Sequence, residues 1–374
     1  MDQPLQRLVD QVRAAQASGS PLRIRGGGSK DFYGGSLQGT PLEIGPLRGI
    51  CSYEPTEMVI TVRAGTPLVE VEAALAEKGQ CLAFEPPRFA GATVGGMVAA
   101  GLAGPARAAV GGVRDFVLGV TLLDGRGELL QFGGQVMKNV AGYDVSRVLA
   151  GSLGVLGVIA EVSLKVPPLA AARQTLAFAL DQQAAITLVQ QWTTQAVPVR
   201  ASAWQRGHLH VRLEGAQAAV ESYARRLAGS HGATALEPAA ADTFWTKLRD
   251  QKSTFFAAPP HRPVPGRSGT EADGPAATLW RLSVPPAHPP LAIEGDTLVE
   301  WGGGLRWIYS DAPAGRVRAI AAQAGGHATA YRGAIERGEA FAPLAPPLER
   351  IHRTLKAVFD PAGIFNQGRL YPWL

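Results

Sequence analysis

Three glycine-rich stretches, Arg25 to Lys30, Gly91 to Gly112 and Gly142 to Gly157, alternate with short β-forming runs, and no other feature restricts the fold so sharply. Glycine reaches left-handed backbone conformations and lets another backbone, or a ligand, come close. Taken singly, each cluster is a turn. Taken together they describe loops whose amide groups can surround a large anion with no side chain in the way. Gly 45 and Pro 28 make up about a fifth of the 374 residues, which is high for a folded chain but below the low-complexity range.

The familiar nucleotide loops do not fit. The Gly26 cluster carries Asp31 where G-x-G-x-x-G needs its last glycine, and no G-x-x-x-x-G-K-[ST] run occurs. An H-E-x-x-H helix and a G-x-S-x-G elbow are also missing from the sequence. The seven histidines, 208, 210, 231, 261, 288, 327 and 352, show no tight metal-ligand spacing. His208 and His210 share one face of a strand, where solvated or core positions are the simpler reading, and no metal site is expected.

Composition narrows the function classes. Hydrophobic residues at 46%, charged residues at 18% and a net charge of +5 exclude a disordered chain and a polybasic nucleic-acid arm. Only seven of the 36 basic residues are Lys, and the Arg excess leaves room for an anionic ligand or an acidic partner. Two cysteines, Cys51 and Cys81, allow neither a disulfide framework nor an iron–sulfur cluster, which takes about four thiolates. Leu5, Leu8, Val9 and Val12 recur at helical spacing beside Asp2 and Asp10, so the first residues read as an amphipathic surface helix and not a signal peptide. Gly95 to Gly112 is apolar but is interrupted by Pro105 and Arg107 and does not read as a membrane span. A cytoplasmic protein, at most peripheral on the inner face of the cell membrane, is expected.

Along the chain, Leu22 to Ile24, Val59 to Val62, Val117 to Leu123, Glu128 to Phe132 and Val158 to Val166 read as strands, with Asp124-Gly125 as a hairpin turn. Thr66 is the expected N-cap of a helix running from Pro67 to Gly79. From Thr175 the order becomes β-α-β-β-α-β, ending at Leu236, which is the ferredoxin-like split unit. A helix over Asp242 to Phe256, a Pro/Gly-rich connection over Pro259 to Pro275, strands over Leu279 to Val284 and Leu298 to Tyr309, and helices near Arg316 to Gln323 and Leu348 to Phe359 complete the reading. No internal repeat is visible.

Four groups of residues carry a resemblance to a known family: Pro21 to Ser29, Pro86-Pro87, Ala92 to Gly101 and Gly112 to Gly119. With Val136 to Asp144 and Gly151 to Ile159, they are similar to the FAD-binding domain of the vanillyl-alcohol oxidase / p-cresol methylhydroxylase (PCMH) family, over about residues 21 to 168. Within it, Met137 to Asp144, Ala324 to Thr329 and the ending Phe359 to Arg369 most resemble the FAD-binding subunits of bacterial glycolate oxidases. The resemblance implies an α+β chain with three parts: a two-subdomain PCMH-type FAD-binding domain at 1–170, a shortened ferredoxin-like cap at 171–335, and a C-terminal segment, 336–374, returning to the flavin domain.

It also implies a set of cofactor contacts. Arg25, Gly26, Gly27, Gly28, Ser29 and Lys30 would form the pyrophosphate loop, with Pro87 nearby. Thr93, Val94, Gly95, Gly96, Ala100, Gly101 and Gly104 would line the other side of the pyrophosphate and flavin. Gly111, Gly112 and the Gly151 to Ile159 run, with Gly154, Gly157, Val158 and Ile159, would hold adenosine and ribitol through backbone contacts, Arg114, Asp115, Gly142 and Tyr143 are further cofactor-contact candidates, and Asn366, Gly368 and Arg369 would reach the isoalloxazine edge. Some family members attach flavin through a histidine after the glycines; here Lys30 follows Ser29 and the first histidine is His208, so noncovalent FAD is expected.

In this family hydride leaves a 2-hydroxy acid for the flavin while a base takes the hydroxyl proton, a task that suits histidine. The related catalytic subunit has a longer cap with a G-N-L-H segment, and only Gly207-His208-Leu209-His210 is comparable here. No catalytic residue is therefore assigned. The expected role is an FAD-binding oxidoreductase subunit of a glycolate oxidase complex, partnered by a catalytic FAD subunit and an iron–sulfur subunit. The alternatives are a cofactor-poor scaffold subunit and a free-standing FAD-dependent 2-hydroxy-acid dehydrogenase. Nucleic acid is not an expected partner.

Overall fold

The structure is a computed structural model that describes residues 2–134, 144–257, 277–333 and 339–374. In chain order the first elements are α1 (Gln3–Ser18), β1 (Leu22–Arg25), β2 (Thr40–Glu43), β3 (Ile50–Glu54), β4 (Val59–Arg63), α2 (Leu68–Glu77), α3 (Val94–Ala100) and α4 (Arg107–Val110). They are followed by β5 (Val117–Leu123), β6 (Leu129–Gly133), β7 (Val158–Lys165), β8 (Ala172–Ala179), α5 (Gln182–Thr194), β9 (Val199–Gln205), β10 (His208–Gly215) and α6 (Gln217–His231). Last come β11 (Thr234–Ala235), α7 (Pro238–Arg249), β12 (Thr278–Ser283), β13 (Asp296–Glu300), β14 (Leu305–Ser310), α8 (Ala314–Gln323), β15 (His327–Arg332) and α9 (Pro346–Phe359).

These elements form two compact units. The first takes Met1–Leu102, Gly111–Leu169 and Arg337–Leu374; the second takes Ala103–Val110 and Ala170–Glu336. The short segment around α4 belongs to the second unit because Trp301 Nε1 donates to the Gly104 carbonyl (2.9 Å) and the Arg107 guanidinium lies 4.5 Å from the Trp301 ring centre.

The first unit holds two sheets. Parallel β1–β2 pairs Leu22 with Thr40 through Arg25 with Glu43. The five-stranded sheet, β3-β4-β7-β5-β6, is antiparallel throughout. Its apolar content explains its position: Ile60, Val62, Val117, Leu122, Val158 and Leu164 are fully buried, as expected of Val/Ile/Leu-rich strands. Helix α2 begins one residue later than its sequence signals suggest. Pro67 is its N-cap, and Thr66 is drawn away because its hydroxyl donates to the Arg63 carbonyl (2.7 Å) and accepts from the Gly49 amide (2.8 Å). Helix α3 is absent from the sequence reading, since a run that includes Gly95 and Gly96 scores poorly on helix propensity. Tertiary contacts and the Thr93 cap, which accepts from Gly96 N (3.3 Å), form it anyway.

The second unit contains one eight-stranded antiparallel sheet in the order β11-β8-β10-β9-β13-β14-β12-β15. Its first half has the ferredoxin-like order, fourth, first, third, second. The second half, β12 to β15, has the same order read from the opposite edge, so two split units meet at β9–β13 through the pairs Leu298–Gln205, Val299–Trp204 and Glu300–Ala203. This repeat escapes the sequence because the copy lacks its first helix: residues 284–295 form no helix or strand. The fully buried Arg306 supports that connection instead, its Nε donating to the Gly303 carbonyl (2.6 Å) and its Nη2 to the His288 carbonyl (2.8 Å). Leu298 to Tyr309, read as one strand, is a hairpin, β13–β14, broken at Trp301–Gly303, where all three residues have positive φ. No helix among the described residues is long and apolar enough to cross a membrane.

Candidate functional site

All of the site described below lies in the first unit. Strand β1 ends at Arg25 and delivers the glycine run into a cleft of about 830 Å³, counting its open mouth. Asn366 anchors the strand, its Oδ1 accepting from Ile24 N (2.7 Å) and its Nδ2 donating to the Leu153 carbonyl (2.6 Å). Arg369, 6% exposed, fixes the far end of the loop by donating to the carbonyls of Gly35 (2.5 Å) and Tyr33 (2.5 Å). Between these anchors the amides of residues 26 to 30 donate to no other described residue. Five consecutive uncommitted N–H groups beside a cleft form an anion-binding concavity.

Close backbone packing sets the loop's shape. A Cβ on Gly27 would overlap the Gly91 carbonyl oxygen, and one on Gly95 would stand 2.6 Å from the Ala64 side chain. Gly96 differs, because a Cβ there meets only the Thr93 hydroxyl at 3.1 Å, so what its missing side chain leaves open is part of the cleft. Ile24, Leu37, Ile44, Ala64, Ala99 and Leu153 give the cleft apolar walls. Arg23 also lines it and has a buried Nε without a hydrogen-bond partner. Burial lowers the Lys30 ammonium to about 8, and its Nζ lies 3.3 Å from the Ser29 hydroxyl and 5.6 Å from the Phe89 ring centre.

The cleft brings together Arg25 to Lys30, Thr93, Gly95, Gly96, Ala100, Gly154, Gly157, Ile159, Asn366 and Arg369. It does not include the other candidates. Val94 and Val158 are core residues, and Gly101 closes α3 in the left-handed region. Gly104 accepts from Trp301 in the second unit. Gly112 donates its amide to the Asp115 carboxylate (2.8 Å), which caps the turn carrying the exposed Arg114, and a Cβ on Gly111 would crowd that carboxylate. Gly368 donates to the Leu374 carbonyl, and Pro87 lies outside the lining as well. Gly142 and Tyr143 fall outside the described residues, as does nearly all of the 137–144 run. Of the lining residues the sequence reading missed, Arg23, Ile24 and Asp31 flank the glycine run, whereas Leu37, Ile44, Ala64 and Ala99 are ordinary apolar residues with no local signal, and Leu153 lies within the Gly151 to Ile159 run.

The histidine pair does not converge. Gly207, with Arg206, forms the positive-φ turn of the β9–β10 hairpin. His208 is exposed, while His210 stacks on Phe244 (4.2 Å between ring centres) and is lowered to about 4 by burial and by His208. No group of three or more His, Cys, Asp or Glu among the described residues could hold a metal ion.

A glycine-lined anion cradle on a parallel β1–β2 pair, beside a five-stranded antiparallel sheet, defines the class as a PCMH-type FAD-binding oxidoreductase, and residues 5–133 match the family described as FAD binding domain. The E. coli (strain K12) glycolate oxidase subunit GlcE is 44% identical over 367 residues, 98% of this chain and 97% of that protein. The chain belongs to the family of that subunit. The Bacillus subtilis (strain 168) glycolate oxidase subunit GlcD is 28% identical over 159 residues, 42% of this chain and 34% of that one. Among solved structures, an alkyldihydroxyacetonephosphate synthase matches with a TM-score of 0.65 at 14% identity, covering 96% of this chain and 74% of that one, a likeness of fold.

Proposed function

We propose that this chain is the FAD-holding subunit of a glycolate oxidase complex that converts glycolate to glyoxylate, with electrons passing to a separate iron–sulfur subunit. The observation that carries the reading is the run of uncommitted amides at 26–30, with the unpartnered Arg23 Nε beside it in the same cleft. In this reading Arg25 to Lys30 bind the pyrophosphate, Thr93, Gly95, Gly96 and Ala100 face it, and Gly154, Gly157 and Ile159 lie along the ribitol and adenosine. Asn366 and Arg369 act by holding the loop, since their polar atoms are committed to backbone partners. FAD, when bound, supplies the hydride acceptor.

Attachment is noncovalent, because Lys30 stands after Ser29 and no histidine precedes His208. Two cysteines cannot hold a cluster, so the iron–sulfur centre belongs to another polypeptide, and a catalytic FAD subunit provides the base that the GHLH hairpin does not assemble. The complex works in the cytoplasm or against the inner face of the cell membrane. Glycolate-dependent dye reduction is the test: the isolated chain turns over poorly or not at all, and co-expression with the two partner subunits restores turnover. Full activity from the isolated chain would refute the subunit reading.

A further inference from the structure

Helix α9 buries one face and leaves an apolar one outside. Phe359 and the stem of Lys356 turn inward, Phe359 lying 6.0 Å from the Phe132 ring centre and Lys356 bonded to Asp360. Leu348, Ile351, Leu355 and Val358 recur at i, i+3, i+7 and i+10, the 3.5-residue spacing of a coiled-coil seam. Leu348 is 48% exposed and Ile351 and Val358 are each 53% exposed, with Leu355 half-buried among them. Among the described residues eight large apolar side chains are exposed; the other five, Phe32, Ile50, Val69, Val148 and Leu169, stand singly on separate segments. Single exposed apolar residues are ordinary, whereas a row of them marks an interaction surface.

The row sits on a fixed element, because Lys356 also donates to the carbonyls of Val155 and Phe365 (both 2.8 Å) and the Arg353 guanidinium lies 4.3 Å from the Trp373 ring centre. Its borders are basic. Arg350 is exposed and makes no hydrogen bond or ion pair with any described residue, and at the far end Arg126 Nη1 donates to the Val358 carbonyl (3.0 Å). The nearby carboxylates are already taken: Arg353 engages Glu349 (2.7 Å), and Arg126 covers the fully buried Asp124 (3.1 Å), which leaves Arg350 as the free charge beside the row. A second copy of the chain is a poor occupant, since packing α9 on α9 in either direction sets Arg350 against Arg350 or towards Arg126, positive against positive. A membrane surface is a poor occupant too. A helix lying among lipid headgroups presents a broad apolar face and several free cations, whereas α9 offers a narrow row beside one free arginine.

We propose, resting on the glycolate oxidase subunit reading above, that the outer face of α9 is the docking site for an amphipathic helix of another subunit, one that lays its own Leu/Ile/Val stripe along this row and carries Asp or Glu beside it to meet Arg350. The aliphatic row supplies the buried contact and Arg350 the selection, so a helix bordered by Lys or Arg is rejected. Leu348, Arg350, Ile351, Leu355 and Val358 are all outside the lining of the glycine cleft, so docking and flavin retention are separable.

The test is co-expression of the tagged chain with the catalytic FAD subunit and the iron–sulfur subunit, reading how much of each co-purifies per chain. Ile351→Asp should lower the yield of a partner subunit by about tenfold or more, and Ile351→Leu should keep it. Val69→Asp, at a 62% exposed apolar position on α2, should match the native chain. Arg350→Glu reverses the charge without touching the row; it should also lower the yield, and it guards against a misfolded Ile351→Asp. Flavin content and melting temperature of each isolated variant should equal those of the native chain. Native yield in both Ile351→Asp and Arg350→Glu, or an equal loss in Val69→Asp, would overturn the proposal. So would a dimer of the isolated chain, or its flotation with phosphatidylglycerol vesicles, that Ile351→Asp abolishes, since either gives the face a different occupant. A native chain that assembles with neither subunit would refute the complex reading and this docking site together, whereas assembly untouched by these variants would refute the docking site alone.

Discussion

Gly27 and Gly96 sit on two sides of the same cleft and are required for different reasons. At Gly27 any side chain collides with backbone, the Gly91 carbonyl, so Gly27→Ala should lower thermal stability and flavin content together. At Gly96 the protein leaves room and a cofactor would not. Gly96→Val should change stability by no more than about 1 kcal/mol and abolish flavin retention, checked by melting and by the absorbance of the purified variant. Equal flavin in Gly96→Val and the native chain would show that the cofactor does not pass this residue. Lys30 adds a pH dependence. Its pKa of about 8, set by burial, means that an anionic pyrophosphate draws a proton onto it above that value. FAD affinity should be flat below pH 8 and fall up to about tenfold per unit above it, and Lys30→Met should remove the slope. A native chain whose flavin dissociation constant is unchanged from pH 7 to 9.5 would contradict that role.

At the scale of elements, the return of the C-terminal segment depends on one buried ion pair. Lys356 on α9 donates to Asp360 (2.7 Å) and to the carbonyls of Val155 and Phe365 (both 2.8 Å), and Asp360 also accepts the amides of Ile364 and Phe365. Burial lowers the lysine pKa and the Asp360 carboxylate opposes that shift. Asp360→Ala leaves the ammonium uncompensated and should cost about 3–5 kcal/mol in a denaturant titration, loosening Asn366 and with it the cradle. A loss under 1 kcal/mol would show that the pair is dispensable. The signals for this region were local and readable: helical spacing in α9 and Asp360-Pro361-Ala362-Gly363 as a turn. Elements whose partners are distant were not. The Trp301–Gly303 break in the β13–β14 run is a backbone event inside an apolar stretch, and the doubled sheet is a matter of strand order, to which periodicity is blind.

For the molecule as a whole, the sequence pointed to the cradle because glycine loops leave a compositional trace, and it could not point to the apolar wall, because Ala64 and Ala99 look like any core residues until the chain is folded. Nor could it separate a glycine facing a ligand from one facing backbone, which is why Gly101, Gly104, Gly111 and Gly112 were read with the cleft and lie outside its lining. The central claim is that this cradle retains FAD within a chain of the glycolate oxidase subunit family. The most direct measurement is the absorption spectrum of the purified chain, followed by acid precipitation. The account predicts flavin bands near one FAD per chain and yellow cofactor released into the supernatant. A colourless protein that does not take up added FAD would contradict it.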